Sequence, residues 1–286
     1  MKTSKLNIGI LSLFLVVGLV FTNCQGDDEV NTFANDPISV EDAQVVADAD
    51  DVSEGVSDLV EQLYIEDGLI GSRVEFSSFM PNHCGKRSIK WSTNQTMKVV
   101  TIDFGDGCEL PNGNFVKGKI IIEFNANREL LMHSIKVSYD NFYYNHKKIE
   151  GTTTIERKLA NDNGNPQSTV TVAIKITFPD GLYVERSSVK VREMIEGKDT
   201  IGVWGDNVFL ITGNWTTVFR NGNVHKGEVI IPLRREMACR FLVSGSIKIQ
   251  KGDRIGTLDF GNGDCDNKAT FTNENGEVKE ILLGKR

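Results

Sequence analysis

Apolar and polar residues alternate one by one through most of the chain beyond residue 71. Val170, Val172, Ile174, Ile176 and Phe178 interleave with Thr169, Thr171, Ala173, Lys175 and Thr177. That period of two marks a strand with one buried and one wet face. Similar stretches occur near 97–104, 115–124, 130–139, 149–158, 182–194, 207–220, 224–233, 240–250, 254–260 and 277–283. Asn112-Gly113, Asn163-Gly164, Asp180-Gly181, Asn221-Gly222, Gly252-Asp253 and Asn275-Gly276 separate them with turn chemistry. Many strands joined by short turns, with no helical period among them, predict an all-β, antiparallel domain over 71–286. It is either a β-sandwich or a long meander folded on itself.

The pattern is different ahead of this body. Ser39 precedes Asp42 by three, a capping-box-like start for a short helix over Val40–Ala49. Val52, Val56, Leu59, Val60 and Leu63 then recur at one face of a 3.6-residue period. Asp51, Glu54, Asp58 and Glu61 lie largely off that stripe, and Gly68 is a plausible stop. The segment 39–70 is therefore expected to be helical and acidic. Its stripe would pack on the β domain, or alternatively on a partner. Its carboxylates lack the spacing of an EF-hand.

Charge sharpens these divisions. The net charge of -7 sums +2 over residues 1–24, -14 over 25–70 and +5 over 71–286. The chain is a basic leader, an acidic arm and a near-neutral body. In the leader, Lys2 and Lys5 precede the apolar run Ile8–Phe21, which is shorter than the roughly 20 residues a membrane-spanning helix needs. It reads as a secretory signal over 1–23. Thr22-Asn23-Cys24 follows at once and resembles the lipobox of bacterial lipoproteins. That resemblance implies lipidation of Cys24 and a membrane anchor, followed by an acidic flexible tether over 24–38. Asp27, Asp28 and Glu29 behind the cysteine resemble the surface-export signal of Bacteroidota lipoproteins, which implies an outer-membrane, outward-facing location.

The body contains an internal repeat. Thr101-Ile102-Asp103-Phe104-Gly105-Asp106-Gly107-Cys108 recurs as Thr257-Leu258-Asp259-Phe260-Gly261-Asn262-Gly263-Asp264-Cys265, and each copy has an upstream cysteine, Cys84 or Cys239. Both copies, 84–108 and 239–265, read as cysteine-flanked hairpins. Facing residues in an antiparallel pair are equidistant from the turn. Cys239 and Cys265 are each thirteen residues from Gly252 at the turn; Cys84 and Cys108 are eleven and thirteen from Gln95. This predicts disulfides Cys84–Cys108 and Cys239–Cys265, with a cross-repeat pairing such as Cys84–Cys239 as the rival. Setting Cys24 aside leaves an even four of the five cysteines. An exported location permits such bonds.

Little else points to chemistry. Asp103-Phe104-Gly105-Asp106-Gly107 looks like the D-x-G-D-G core of PKD-type β-sandwich modules. Asp103 and Asp106, or Asp259 and Asp264, are candidate Ca²⁺ ligands; capping of turn amides is the competing role. No other metal and no organic cofactor is indicated. The aromatic-rich stretch Tyr139–Thr152, placed between strands, offers Tyr143 and Tyr144 with Trp204 and Trp215 as a candidate sugar-stacking platform. Core packing is the usual fate of such rings. No G-x-S-x-G, H-E-x-x-H or P-loop occurs, so no catalytic residue is assigned. The +5 of the body is spread along its strands, which argues against nucleic acid. Asp199-Thr200-Ile201 resembles the short O-glycosylation acceptor of exported Bacteroidota proteins.

Taken together, the acidic run behind Cys24, the T-I-D-F-G-x-G-C block at 101–108, Gly118-Lys119-Ile120-Ile121, Tyr139–Thr152, Ala238–Gly245 and Thr257–Asn267 resemble a family of Bacteroidota outer-membrane or surface lipoproteins. The resemblance implies location and an all-β fold, and carries no activity. The expected function is a binding or envelope-structural module, with a carbohydrate-binding or carbohydrate-active surface protein as the alternative. Expected partners are the membrane, glycans or another envelope protein.

Overall fold

The computed structural model describes residues 36–69, 84–127, 130–200 and 202–284. Cys24, the signal segment 1–23 and most of the tether 24–38 lie outside the described residues. Among the described residues one helix, α1 (Val40–Leu69), is followed by fourteen strands. In chain order they are β1 (Lys86–Trp91), β2 (Met97–Asp103), β3 (Cys108–Glu109), β4 (Phe115–Asn125), β5 (Met132–Tyr144), β6 (Lys147–Lys158) and β7 (Gln167–Thr177). There follow β8 (Tyr183–Glu196), β9 (Val208–Phe219), β10 (Val224–Glu236), β11 (Ser244–Lys251), β12 (Arg254–Asn262), β13 (Lys268–Thr272) and β14 (Val278–Leu282). Nearly all pair with their sequence neighbours in one open antiparallel sheet, and only the two-residue β3 lies off the main path, pairing with β4. The fold is the meander of the two expected architectures; among the described residues there is no second sheet to make a sandwich.

Turn chemistry sets the registers. Asn145 and His146 both adopt positive φ, 49° and 65°, so β5 and β6 are joined by a two-residue turn of the kind that matches strand twist. The aromatic stretch at 139–152 is therefore a hairpin, not a segment between strands. Gly151 marks a break in the β5–β6 ladder. Its φ is +117°, and a Cβ there would stand 2.3 Å from the Ala173 carbonyl oxygen, so only glycine fits.

The sheet curls around α1. The expected short helix over 40–49 and the separate stripe beyond it are one continuous helix of 30 residues. Ser39 caps it, its hydroxyl accepting a hydrogen bond from the Asp42 amide at 3.0 Å. Val45, Val52, Val56, Leu59, Val60 and Leu63 are buried, as the apolar stripe requires. Asp48, Asp50, Glu54, Asp58, Glu61, Glu66 and Asp67 are buried as well. The helix is enclosed on its polar side too, because strands as far apart as β1 and β14 both reach it. It packs inside the β domain, which settles the choice between domain and partner. At Gly55 the helix backbone lies close against the sheet: a Cβ at this position would stand 2.1 Å from the Tyr144 hydroxyl oxygen.

Both predicted disulfides are present. Cys84–Cys108 and Cys239–Cys265 have Cα–Cα separations of 5.5 and 5.3 Å. The registers centre the two hairpins within one residue of the expected turns, with Trp91 facing Lys98 and Lys251 facing Arg254. The repeat is nevertheless not a structural copy. Ser88 faces Thr101, whereas the matching Ser246 faces Asp259. β1 and β11 also run in opposite directions along the sheet, so the disulfides close opposite ends of it.

Candidate functional site

Among the described residues, many charged side chains are buried in the interior. α1 carries ten carboxylates and no Lys or Arg. Among the described residues, no strand Asp or Glu is buried, while Lys147, Arg157, Arg186, Lys190, Arg192, Arg235 and Lys251 are. The positive charge of the body is thus not spread evenly along its strands; a large part of it is turned inward, toward the helix.

β8 shows how the sequence does this. Val189 and Val191 alternate with Lys190 and Arg192, and simple alternation would turn the valines inward. The opposite parity is realised: Val189 is 47% exposed and Lys190 only 2%. Arg186, Lys190 and Arg192 then project from one strand onto successive turns of α1. Arg186 binds Asp50, Lys190 bridges Asp50 at 2.6 Å and Glu54 at 2.9 Å, and Arg192 binds both Glu54 and Asp58. From β10, Arg235 adds a second contact to Asp58 at 2.7 Å. At the helix C-terminal end, Asp67 is held by Arg87 and by Lys98 at 2.6 Å.

Burial opposes the charges of Glu54, Lys190 and Arg186 in this ladder, and pairing outweighs it at the first two. The Glu54 carboxyl is penalised by burial, but attraction and hydrogen bonds from Lys190 and Arg192 draw its pKa down to about 2. Burial likewise opposes the Lys190 charge, and Asp50 and Glu54 outweigh it, raising its pKa. Arg186 is also lowered mainly by burial, with Asp50 acting against the shift. Its guanidinium carbon lies 3.8 Å from the centre of the Trp215 ring, and it donates to the Thr217 hydroxyl at 2.7 Å.

Two smaller groups flank the ladder. Asp51 has its pKa raised to about 6, mainly by burial, with Arg235 and Lys147 acting against the shift. Burial also lowers Lys147, against the attraction of Asp48 and Asp51. Near the helix start, His225 is fully buried, 3.7 Å from Asp42, and Lys251 stands 3.8 Å from the same carboxylate. Burial pushes the imidazole down to about 4, against the pull of Asp42. Neither His225 ring nitrogen makes a hydrogen bond among the described residues.

The residues singled out from sequence fall elsewhere. Asp103 accepts from the Gly105 amide and Asp259 from the Gly261 amide, each at 2.9 Å, so both carboxylates cap turns. Asp259 also accepts from Ser246 at 2.5 Å. Asp106 and Asp264 are exposed. Asp259 and Asp264 do line one open depression of about 300 Å³ with Asp266, Lys268 and Glu280. No group of three or more His, Cys, Asp or Glu arranged to hold a metal ion occurs among the described residues.

The expected aromatic platform is not assembled. Tyr144 and Trp215 are buried in the core, facing α1 and Arg186. Tyr143 lies on the outer face with Lys117 near its ring, and Trp204 is half-buried against Phe209 in the loop before β9. A second depression, of about 310 Å³, lies on the outer face over Gly151 and Ala173, rimmed by Glu150, Lys175 and Glu185. Thr200, in the acceptor-like tripeptide, is exposed and donates to Asp206 at 2.6 Å.

Sequence reasoning missed Arg186, Lys190, Arg192 and Arg235. The available signal was the pairing of a wholly acidic helix with a strand whose cations share one parity. No helix among the described residues is long and apolar enough to cross a membrane. Comparison with protein-family models, curated proteins and solved structures returns no match.

Proposed function

We propose that the chain is a lipid-anchored protein of the outer membrane, facing outward, whose β domain is a binding or envelope-structural module with no identifiable catalytic residues. One observation supports this best: the concave side of the sheet is filled by the chain's own helix, buried around its circumference. A carrier built on this plan would need that space for its cargo. Recognition therefore falls to the convex face and the loops. The lipobox-like Thr22-Asn23-Cys24 and the acidic residues behind it supply the address, and the two disulfides suit an oxidising compartment. Two acyl chains anchor a protein stably where one binds marginally. The test is metabolic labelling with a fatty-acid probe in a Gram-negative host. Label that is lost in Cys24→Ala is expected, and an unlabelled wild-type chain overturns the anchor. Protease shaving of intact cells then reads the outward orientation.

A carbohydrate-binding reading rests on less. It retains Tyr143 and Trp204 of the four candidate rings, together with the outer depression between Glu150 and Glu185. A glycan array read with wild type and with Tyr143→Ala separates the two readings. Binding that the substitution abolishes would favour carbohydrate recognition, and an empty array would remove it.

A further inference from the structure

Among the described residues, the buried charges of α1 are all acidic and those of the strands all basic, so helix and inner face are complementary in sign. The ion pairs that β8 and β10 make with the helix link residues 134 to 177 positions apart, and Gln44 donates to the Leu282 carbonyl at 2.7 Å across 238 positions. A helix presented by another molecule would meet the same partners.

The acids at 50, 54 and 58 stand about one helical turn apart, with a rise of about 6 Å between successive ones. The cations at 190 and 192 stand about 6.8 Å apart, the repeat of alternate strand residues. Charge alone would tolerate a slip by one turn, because Glu54 and Asp58 would fall where Asp50 and Glu54 had been. Shape forbids it: Gly55 is the position over which Tyr144 closes, and any other residue placed there by a slip brings a side chain into the tyrosine ring. Gln44 at Leu282 and Asp48 at the Gly284 amide, 3.0 Å away, fix the same register from the other end. The occupant must therefore carry an acidic ladder, a glycine at the matching turn and polar groups ahead of it. Nor can the face stand empty, since each buried cation would lose its partner and be left as an uncompensated charge.

We infer that this inner face is a receptor for an acidic helix in its own right, and that α1 of a second copy of this chain fits it as the chain's own α1 does, giving helix-exchanged dimers. Exchange conserves every contact, so it is a low-cost route to a dimer. The inference does not depend on the lipid anchor.

Two full-length variants test it. They are Glu54→Lys with Asp58→Lys in one chain, and Lys190→Glu with Arg192→Glu in the other. Each is mismatched alone, and refolding them together should yield a 1:1 heterodimer by light scattering. Separate monomers or precipitate would overturn the inference. Capture of an unrelated acidic helix in place of α1 would show a receptor that does not discriminate for this chain, and also counts against it.

Discussion

Glu54 of the helix sits 2.9 Å from Lys190 Nζ while its other oxygen meets Arg192, so a single carboxylate couples α1 to two positions of β8. Both cations are also held by neighbouring acids, Asp50 and Asp58. Replacing Glu54 with Gln leaves those outer pairs in place but strands part of two buried charges. A loss of about 3–5 kcal/mol is expected, as for other broken buried pairs. Denaturant unfolding of the variant with its disulfides intact measures it. Glu54→Gln with Lys190→Met and Arg192→Met should recover part of the loss, because an apolar replacement of similar volume removes the stranded charges.

Acid stability follows from the same group. The folded Glu54 pKa, about 2, is below its ordinary 4.5. Its stabilisation is therefore complete above pH 4.5 and is lost as the pH falls through 2. The size is about 3 kcal/mol, at roughly 1.4 kcal/mol for each pH unit. Circular-dichroism melts from pH 5 to pH 2 should show a steep fall that Glu54→Gln flattens.

Between pH 6 and pH 4 two groups act in opposite directions. Asp51 is raised to about 6, so its buried charge destabilises the fold above that pH, and the penalty is relieved on acidification. His225 is lowered to about 4, so the unfolded chain takes up a proton before the folded one does. Its contribution falls as the pH drops from 6.5 toward 4. In the wild type the two slopes offset each other. Asp51→Asn should raise stability at pH 7 and leave a curve that declines on acidification. His225→Gln should leave one that rises. Parallel curves for the two variants would contradict this.

At Gly55, helix propensity and packing make opposite forecasts. Alanine in a helix interior is usually favoured over glycine by about 1 kcal/mol. Here the added Cβ would collide with the Tyr144 ring and hydroxyl, with 2.1 Å as the closest approach. Gly55→Ala is expected to destabilise by about 1–3 kcal/mol, as overpacked cores do. Gly55→Ala with Tyr144→Phe should regain part of that, which thermal melts can resolve.

The two disulfides close loops of 24 and 26 residues at opposite ends of the sheet. Each should contribute about 3 kcal/mol, and their effects should add because the sites share no partner. Paired serine substitutions at 84 and 108, at 239 and 265, and at all four positions test both statements. Non-reducing peptide mapping verifies the pairings.

Residue order alone determines a great deal of this fold. Alternation in β7 and the Asn-Gly turns are local signals, since strand period and turn geometry depend on a few adjacent residues. The hairpin disulfides were legible for the same reason: equal distance from a turn is a local measure. The cap at Ser39 and the valine stripe at 52–63 likewise announce the helix, though as two pieces. The aromatics were not legible, because Tyr143 and Tyr144 differ by one position and that step alone sends one outward and the other onto Gly55.

Tertiary structure decided what surrounds the helix. Once the sheet encloses α1, its acidic side has no water to face, and the strands beside it must turn cations inward. That inverts the ordinary reading of β8, where Lys190 is buried and Val189 exposed. No local pattern encodes this, because the partner that reverses the parity lies more than 130 residues away. The sequence contains both halves of the ladder; only the closing of the sheet around the helix makes them one object, since a buried charge is tolerated where an opposite charge reaches it.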